Sequence, residues 1–245
     1  MTVSKIERNE NGIRVIDGIE YPSVTTILKD DSYAKVPKHI LQAASERGNE
    51  IHLLLENILQ GQDFEVEKRW EFVANSMITG LNALNKGFVN IQYPETEKTV
   101  WHRDLLFSGQ LDYKFKCNLK SMIDPKKRVT AIVDFKTSAE KKASHLKQIA
   151  AYVMADFNMK TWRLAQNGSY DENNSKSKQQ KLTRIASNGK EVKVLLPDPN
   201  DYFGILIYAH KKNEGIVATS GTGLHTSMLE FMEDVERYSR IERDS

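Results

Sequence analysis

The chain has 245 residues, of which 40% are hydrophobic and 28% are charged, and its formal net charge is +2. This length allows one substantial core, so we expect a single domain over residues 1–245 with the composition of an ordinary globular protein. The small net charge excludes a uniformly cationic surface, so any contact with nucleic acid must come from local basic patches. The single cysteine, Cys117, excludes internal disulfides and a four-cysteine zinc or iron–sulfur site within one chain.

The sequence carries no signal for membrane insertion or export. No segment approaches the about 18 to 20 apolar residues that a membrane helix requires. Residues 1–10 mix acidic with basic side chains and contain no apolar block, unlike a secretory signal or a transit peptide. We therefore expect no membrane partner, and we expect the protein to remain in the compartment where it is made.

The N-terminal segment predicts a hairpin followed by a short capped helix. Gly12–Tyr21 alternates between apolar and polar residues around an Asp-Gly turn, which is typical of a tight hairpin. Ser23 follows a proline and can cap a helix that runs to Leu28. Capping and turn formation are therefore a sufficient structural explanation for Ser23 and Thr25.

Two amphipathic helices are predicted next, from Pro37 to about Gly61 and from Glu65 to Lys86. The apolar stripe of the first comprises Leu41, Ala44, Gly48, Ile51, Leu55 and Leu59. His52 falls beside this stripe, and Glu56 lies one turn later on the same face. A lone histidine facing a core is more often a hydrogen-bonded core residue than a metal ligand. The second helix shows only packing residues.

The centre of the chain predicts three strands, at Ile91–His102, Leu105–Phe115 and Val129–Phe135. The last is more continuously apolar, as in strands that lie deep in a sheet. Glu97 falls on an edge strand, where a solvated charge is expected. Lys141–Asp156 predicts a helix on which Gln148 and Tyr152 share one face by their four-residue spacing.

A polar, basic insertion is predicted at about residues 167–200, mobile up to Gln180 and ending in a hairpin around Asn188-Gly189. Its basic residues are Lys176, Lys178, Lys181, Arg184, Lys190 and Lys193. They are consistent with a DNA-contacting flap or with an ordinary solvated loop. A last hairpin, at about 203–219, and an amphipathic helix from Leu224 to Tyr238 complete the chain.

Asp112, Asp134 and Lys136 form the pattern with the clearest chemistry. Adjacent strands would bring the two carboxylates together, and strand alternation points Lys136 to the same face as Asp134. Two buried carboxylates repel each other, and a hard divalent cation with oxygen ligands relieves the repulsion. The lysine could then hold a water or stabilise developing charge on a phosphate. The same loose tripeptide recurs elsewhere in polar surroundings, so the preceding apolar strand is what distinguishes this copy.

Five motifs occur in one order along the chain: Tyr21-Pro-Ser-Val-Thr-Thr-Ile-Leu28, Arg47-Gly-x-x-x-His52 with Glu56, Gly109-x-x-Asp112, Asp134-x-Lys136-Thr-Ser and Gln148-x-x-x-Tyr152. This set resembles the PD-(D/E)XK nucleases, within them the RecB-like branch, and most of all the mitochondrial genome maintenance exonuclease group with its phage and bacterial relatives. The resemblance covers most of the chain. It implies an α/β fold with a restriction-endonuclease-like core, in which a central mixed β-sheet is flanked by helices.

The resemblance also implies a role for individual residues. The implied catalytic residues are Asp112, Asp134 and Lys136. The implied metal ligands are His52, Asp112, Asp134 and the backbone carbonyl of Phe135. The implied DNA-binding residues are Ser23, Thr25, Arg47, Gln148 and Tyr152. Glu56 and Glu97 would support the site, Glu56 by orienting His52.

The activity implied is that of a Mg²⁺- or Mn²⁺-dependent DNA exonuclease acting on single strands or free ends in replication, recombination or repair. Recombination or replication proteins would be its partners, in the cytoplasm of a bacterial or phage-infected cell. Some RecB-like nucleases carry an iron–sulfur cluster, and the single cysteine sets this chain apart from them. Two alternatives remain open: a structure-specific or restriction-like endonuclease, which uses the same residues, and a catalytically silent nucleic-acid-binding module.

Overall fold

The computed structural model describes residues 4–10, 12–29, 36–62, 65–119, 127–166 and 180–244. The chain begins with the short antiparallel strands β1 (Ile6–Arg8), β2 (Arg14–Ile16) and β3 (Ile19–Tyr21) and the single-turn helix α1 (Val24–Ile27). Ser23 Oγ accepts a hydrogen bond from the Thr26 amide at 3.0 Å, which caps α1. The predicted hairpin and helix cap are both confirmed.

The remaining elements, in chain order, are α2 (Lys38–Gln60), α3 (Glu71–Gly87), β4 (Phe88–His102), β5 (Phe107–Leu119), β6 (Arg128–Lys136), α4 (Ala143–Gln166), β7 (Lys181–Ile185), β8 (Glu191–Leu195), β9 (Tyr202–His210), β10 (Asn213–Thr219) and α5 (Gly221–Asp244). Five strands form the central sheet in the order β10-β9-β6-β5-β4. The β6–β9 pair is parallel and the other pairs are antiparallel, so the sheet is mixed.

Helices cover both faces of this sheet, which confirms the predicted α/β class. One face packs against α2 and α3 through Val133 and its neighbours, and the other packs against α4 and α5 through Ile132 and its neighbours. Strand β6 lies in the middle and is buried from Val129 to Phe135. That burial on both faces explains why its sequence is mostly apolar.

Three predicted helical features differ from the structure. Helix α3 begins at Glu71 rather than Glu65. Helix α4 continues to Gln166, well beyond the predicted end at Asp156. In the predicted apolar stripe of α2, Ala44 is exposed, whereas Ile51 and Leu55 are buried in the core shared with α3.

Part of the predicted insertion, residues 167–179, lies outside the described residues, and so do its Lys176 and Lys178. The following segment forms the predicted hairpin, β7–β8, which packs on the body of the protein. Ala186 and Val194 are fully buried, and Ser187 Oγ donates a hydrogen bond to the Leu106 carbonyl at 2.7 Å. None of the described helices combines the length and the apolar character needed to cross a membrane.

Candidate active site

A cleft of about 840 Å³ opens between the sheet, α1, α2 and α4. It contains every residue to which the sequence analysis assigned a role except Arg47, which is exposed on α2 outside the cleft lining. The assigned residues in the lining are Ser23, Thr25, His52, Glu56, Glu97, Asp112, Asp134, Phe135, Lys136, Gln148 and Tyr152. Residues far apart in sequence are therefore assembled around one concave surface.

The pairing of β5 with β6 places two carboxylates at the floor of this cleft. The antiparallel register ends at Tyr113 opposite Val133, and Asp112 and Asp134 occupy the next position on each strand. Both are buried, and the Phe135 amide donates a hydrogen bond to Asp112 Oδ2 at 2.7 Å. Burial, followed by repulsion from Asp134, raises the pKa of Asp112 to about 7.

Asp112 meets two further metal-ligating groups at the mouth of the cleft. His52 Nδ1 lies 3.4 Å from Asp112 Oδ1 and 3.3 Å from Glu97 Oε1. The hydrogen bond with Glu97 is the main cause that raises the pKa of His52 to about 9, and the Asp112 carboxylate adds to it against the effect of burial. One donor atom from each of the three residues lies within 4.8 Å of the others.

This donor set fits a divalent cation, because carboxylate oxygens with one imidazole nitrogen are common ligands for such ions. The set is not specific for Mg²⁺. The buried Asp134 carboxylate lies near this set, close enough to contribute to the raised pKa of His52, and its Oδ2 forms an ion pair with Lys136 Nζ at 2.6 Å.

Glu97 reaches the site through an unusual backbone conformation. It lies on the edge strand β4 between the paired positions Thr96 and Lys98, opposite Asp112 on β5. Its φ of 48° falls in the left-handed region, which residues other than glycine rarely adopt. Gln110 donates a hydrogen bond to Glu97 Oε2 at 2.5 Å, so the carboxylate is held between His52 and an amide rather than released to solvent.

Lys136 is held by a chain of polar contacts that begins on α4. Its Nζ donates a hydrogen bond to Gln148 Oε1 at 2.7 Å, and Gln148 Nε2 donates to Tyr152 Oη at 2.7 Å and to Asp134 Oδ1 at 3.4 Å. The Tyr152 ring lies so close to Gly109 that a Cβ there would approach its Cε1 to 2.3 Å. The Gly109-x-x-Asp112 and Gln148-x-x-x-Tyr152 motifs therefore fit against each other.

Two residues assigned to DNA contact or to support have other partners. Glu56 lines the cleft but accepts a hydrogen bond from Gln60 at 3.0 Å, and no hydrogen bond or ion pair joins it to His52 among the described residues. Ser23 is engaged in capping α1, while Thr25 is exposed on the cleft wall with its hydroxyl 2.9 Å from that of Ser23. The segment is positioned by Ser108 of β5, whose amide donates to the Pro22 carbonyl.

Sequence reasoning did not identify several residues that the structure brings into the cleft. Arg14 on β2 donates a hydrogen bond to Gln110 at 3.2 Å and so extends the contacts that hold Glu97. His145 on α4 lies 2.9 Å from the Tyr208 hydroxyl, and burial lowers its pKa to about 4. The only sequence signal for His145 is its position three residues before Gln148 on the same helix.

Comparison with models of known protein families and with curated proteins gave no match for this chain. The chemistry of the cleft is therefore argued from its side chains. Two buried carboxylates, a third carboxylate, an imidazole and an oriented ammonium group can together bind a cation and stabilise negative charge on a phosphate.

Proposed function

We propose that the chain is a metal-dependent phosphodiesterase that hydrolyses DNA, with a PD-(D/E)XK-type site on a restriction-endonuclease-like core. The observation that carries the proposal is the convergence of Asp112, Asp134 and Lys136 in one cleft with the imidazole of His52. The ion pair of the half-buried Lys136 with the buried Asp134 carboxylate also supports the proposal, because it places an ammonium group beside a candidate metal ligand. The strand order and the mixed sheet are compatible with this core.

The protein residues divide the work between holding a cation and handling the scissile phosphate. His52, Glu97 and Asp112 would hold the cation, with Asp134 and the Phe135 carbonyl as further ligands. A divalent cation bound there lowers the pKa of a coordinated water and neutralises charge on the phosphate.

Lys136 has a separate task in this scheme. Its ammonium group would orient the attacking water and stabilise the extra negative charge that develops as the phosphodiester bond breaks. Asp134 and Gln148 fix its position by the contacts described above. The buried Tyr152 helps to position Lys136 as well, because its hydroxyl accepts a hydrogen bond from Gln148. Its side chain is only 3% exposed. We therefore assign Gln148 and Tyr152 to the support of Lys136 and not to base stacking.

The substrate class is DNA with a free end, most of all single strands, and this assignment rests on the sequence resemblance. The wall formed by Ser23 and Thr25 offers hydroxyl groups that can donate to backbone phosphates. The cleft is open and polar, and its lining includes Arg14, Lys136 and Lys142 as cations that an extended phosphate backbone would meet.

This function is tested with two substrates, a linear single strand labelled at one end and a circular single strand, each incubated with Mg²⁺ or Mn²⁺. We expect the linear strand to be shortened from an end while the circular strand stays intact. Cleavage of the circle would instead identify an endonuclease, which the same residues can support. Binding of both strands without cleavage of either would identify a catalytically silent module and contradict the proposal.

A further inference from the structure

A second pocket, of about 390 Å³, lies against the same helix as the candidate active site. Alternate residues of β5 face the same side, so Lys114 and Lys116 follow Asp112 along the strand toward this pocket. On α4, Asp156 lies one turn beyond Tyr152 and contributes to the pocket wall. We name it the β4–β5–α4 pocket after the strands and helix that supply most of its lining.

The pocket lining has a large excess of positive charge. Six basic residues line it against two acidic ones, although the whole chain carries a net charge of only +2. The six are Lys98, Lys114, Lys116, Arg128, Lys160 and Arg163. They come from β4, β5, β6 and α4, so no run of basic residues in the sequence reveals them.

The two acidic residues are already paired with three of these cations. Lys114 Nζ lies 2.7 Å from Asp156 Oδ1 and 3.0 Å from Glu95 Oε1, deep in the pocket. Lys160 pairs with Asp156 at 2.5 Å, and Lys98 pairs with Glu95. These contacts order the floor of the pocket but leave its rim charged.

The remaining three cations of the lining form its rim. Lys116, Arg128 and Arg163 are exposed, and none of them makes an ion pair with another residue in the described part of the chain. Two of the three are arginines, whose planar guanidinium groups match a phosphate with paired hydrogen bonds. The rim is thus suited to an anion that arrives from solvent.

The crowding of cations also affects the buried lysines. Burial, and then repulsion from neighbouring ammonium groups, lowers the pKa of Lys160, against the attraction of Asp156. Burial similarly lowers the pKa of Lys98, and the positive charge of Lys114 adds to the effect. A bound anion would relieve this repulsion.

An exposed aromatic ring stands beside the cationic rim. Tyr93 on β4 is 64% exposed and lies where the pairing of β4 with β5 slips by one residue, between Gln92 and Glu95. Its φ of 53° is in the left-handed region, a rare and strained conformation for an aromatic residue. Lys116 Nζ lies 5.7 Å from the centre of the ring, so an amphipathic surface joins a flat aromatic face to a cation.

Strand β4 has a residue with a positive φ angle at each of the two pockets. Glu97 and Tyr93 both adopt positive φ angles on one strand, and Glu97 is thereby turned toward His52 in the candidate active site. The ladder slip at Tyr93 turns its ring toward Lys116 instead of burying it. Asn90 also has a positive φ, at the other slip of the β4–β5 ladder, so bulges recur along this edge strand, and the one at Tyr93 leaves an aromatic ring exposed to solvent.

We propose that the β4–β5–α4 pocket is a second nucleic-acid subsite, where a backbone phosphate of a single strand binds to Lys116, Arg128 and Arg163 and a neighbouring base stacks on Tyr93. Stacking on an exposed aromatic ring beside a cationic groove is a general mode of single-strand binding. The connection to catalysis rests on the proposed function, since β5 and α4 contribute residues both to this pocket and to the candidate active site. The subsite would then hold the strand away from the point of cleavage.

Affinity for a labelled single strand of about 12 nucleotides, measured by fluorescence anisotropy in EDTA, tests this proposal without any cleavage. Tyr93→Asn removes the ring but keeps a residue type that tolerates positive φ, so the ladder slip should persist. We expect it to weaken binding by about fivefold or more, the loss of one base stack. A strand carrying abasic sites should bind both proteins alike, because it has phosphates but no base to stack.

The cations are tested by a double variant, Lys116→Gln with Arg163→Gln, and a matched control, Lys211→Gln with Lys212→Gln, which removes two exposed lysines from the β9–β10 turn. For the first we expect weaker binding, and the slope of log affinity against log salt should become shallower by about 0.7 for each lost phosphate contact. The control variant should differ from the wild type in affinity by less than the Lys116→Gln, Arg163→Gln variant does.

Three results would overturn the subsite. They are unchanged binding by Tyr93→Asn, an equal loss for normal and abasic strands, and an unchanged salt slope for the double variant relative to its control. If inorganic phosphate or an acidic peptide fully displaced the labelled strand, and Tyr93→Asn bound the strand as tightly as the wild type, the pocket would be a general anion site instead. Because the assay contains no metal, a wild-type protein that never cleaves DNA contradicts the proposed function alone and leaves the subsite standing.

Discussion

Lys136 is the residue at which the two halves of the site meet, since it contacts Asp134 on its own strand and Gln148 on α4. Substitution by methionine keeps the apolar stem but removes the charge, so the transition state should lose an electrostatic contact worth about 2.7 to 4 kcal/mol. We expect single-turnover cleavage to fall by about 10² to 10³ while DNA affinity in Ca²⁺ is retained.

Arginine at the same position should also fail, for a different reason. It keeps the charge, but its wider planar group cannot occupy the point between Asp134 and Gln148 where the ammonium lies. The same pair of measurements applies. An equal loss of binding and cleavage in Lys136→Met would show that this residue anchors a phosphate and has no separate catalytic role.

The three candidate ligands make a prediction that needs no activity assay. His52→Ala and Glu97→Gln should each weaken Mn²⁺ affinity by roughly tenfold or more, in the range found for altered metal-site residues. Glu56→Gln is the matched control, because Glu56 lines the same cleft but is paired with Gln60. Calorimetric titration measures all three. Coincident curves for His52→Ala and the wild type would make His52 a structural residue.

At the scale of elements, α4 packs closely on β5 because Gly109 has no side chain and leaves room for the Tyr152 ring. Gly109→Ala should push the Tyr152 ring away, because the added Cβ would lie 2.3 Å from its Cε1. We expect a loss of about 1 to 3 kcal/mol in the free energy of unfolding, typical of overpacking. Gly48→Ala on α2 is the control, since its Cβ would meet nothing within 4 Å and alanine favours a helix. Urea unfolding of both variants checks this, and similar stabilities would contradict the close fit.

The boundaries of the elements show how far sequence patterns reach. The apolar run of β6 is predictable because the strand is buried on both faces, and the buried carboxylate of Asp134 stands out against that run. The end of α4 is not, because its apolar pattern is interrupted by Asp156 and Asn158, which the fold buries and satisfies. Asp156 pairs with Lys114, and Asn158 accepts a hydrogen bond from the Arg103 amide at 2.9 Å. Only tertiary partners make such polar residues compatible with a buried helix face.

At the scale of the whole molecule, one part of the candidate site is predictable from the sequence and another part is not. The proximity of Asp112, Asp134 and Lys136 follows from strand pairing and alternation, which the sequence reveals. The placement of Glu97 beside His52 depends on a left-handed residue in an edge strand and on the docking of α2. Neither leaves a local signal, which is why Glu97 was expected only to support the site.

The stability of the molecule should depend on pH through the buried His102. Its Nδ1 accepts a hydrogen bond from the Leu105 amide at 3.2 Å, and burial lowers its pKa to about 3. Below the unfolded pKa of about 6.5 the unfolded chain binds a proton that the folded protein does not. Stability should therefore fall by up to about 1.4 kcal/mol per pH unit as the pH drops from 6.5 toward 3.

His102→Asn isolates this contribution, because its amide oxygen can accept the Leu105 hydrogen bond without titrating. We expect the variant to lose less stability than the wild type between pH 7 and pH 5 in urea unfolding. Parallel pH dependence in the two proteins would show that His102 does not control acid sensitivity.

The central claim, that the cleft hydrolyses DNA with a metal held by its carboxylates, is tested most directly at Asp134. Single-turnover cleavage of an end-labelled single strand is measured in Mg²⁺, in Mn²⁺ and in EDTA for the wild type, Asp134→Ala and Glu233→Ala. Glu233 is an exposed carboxylate on α5 and serves as the control. We predict metal-dependent cleavage by the wild type and Glu233→Ala, and none by Asp134→Ala, whose circular dichroism should be unchanged. Wild-type rates in Asp134→Ala, cleavage that persists in EDTA, or no cleavage by the wild type would contradict the claim.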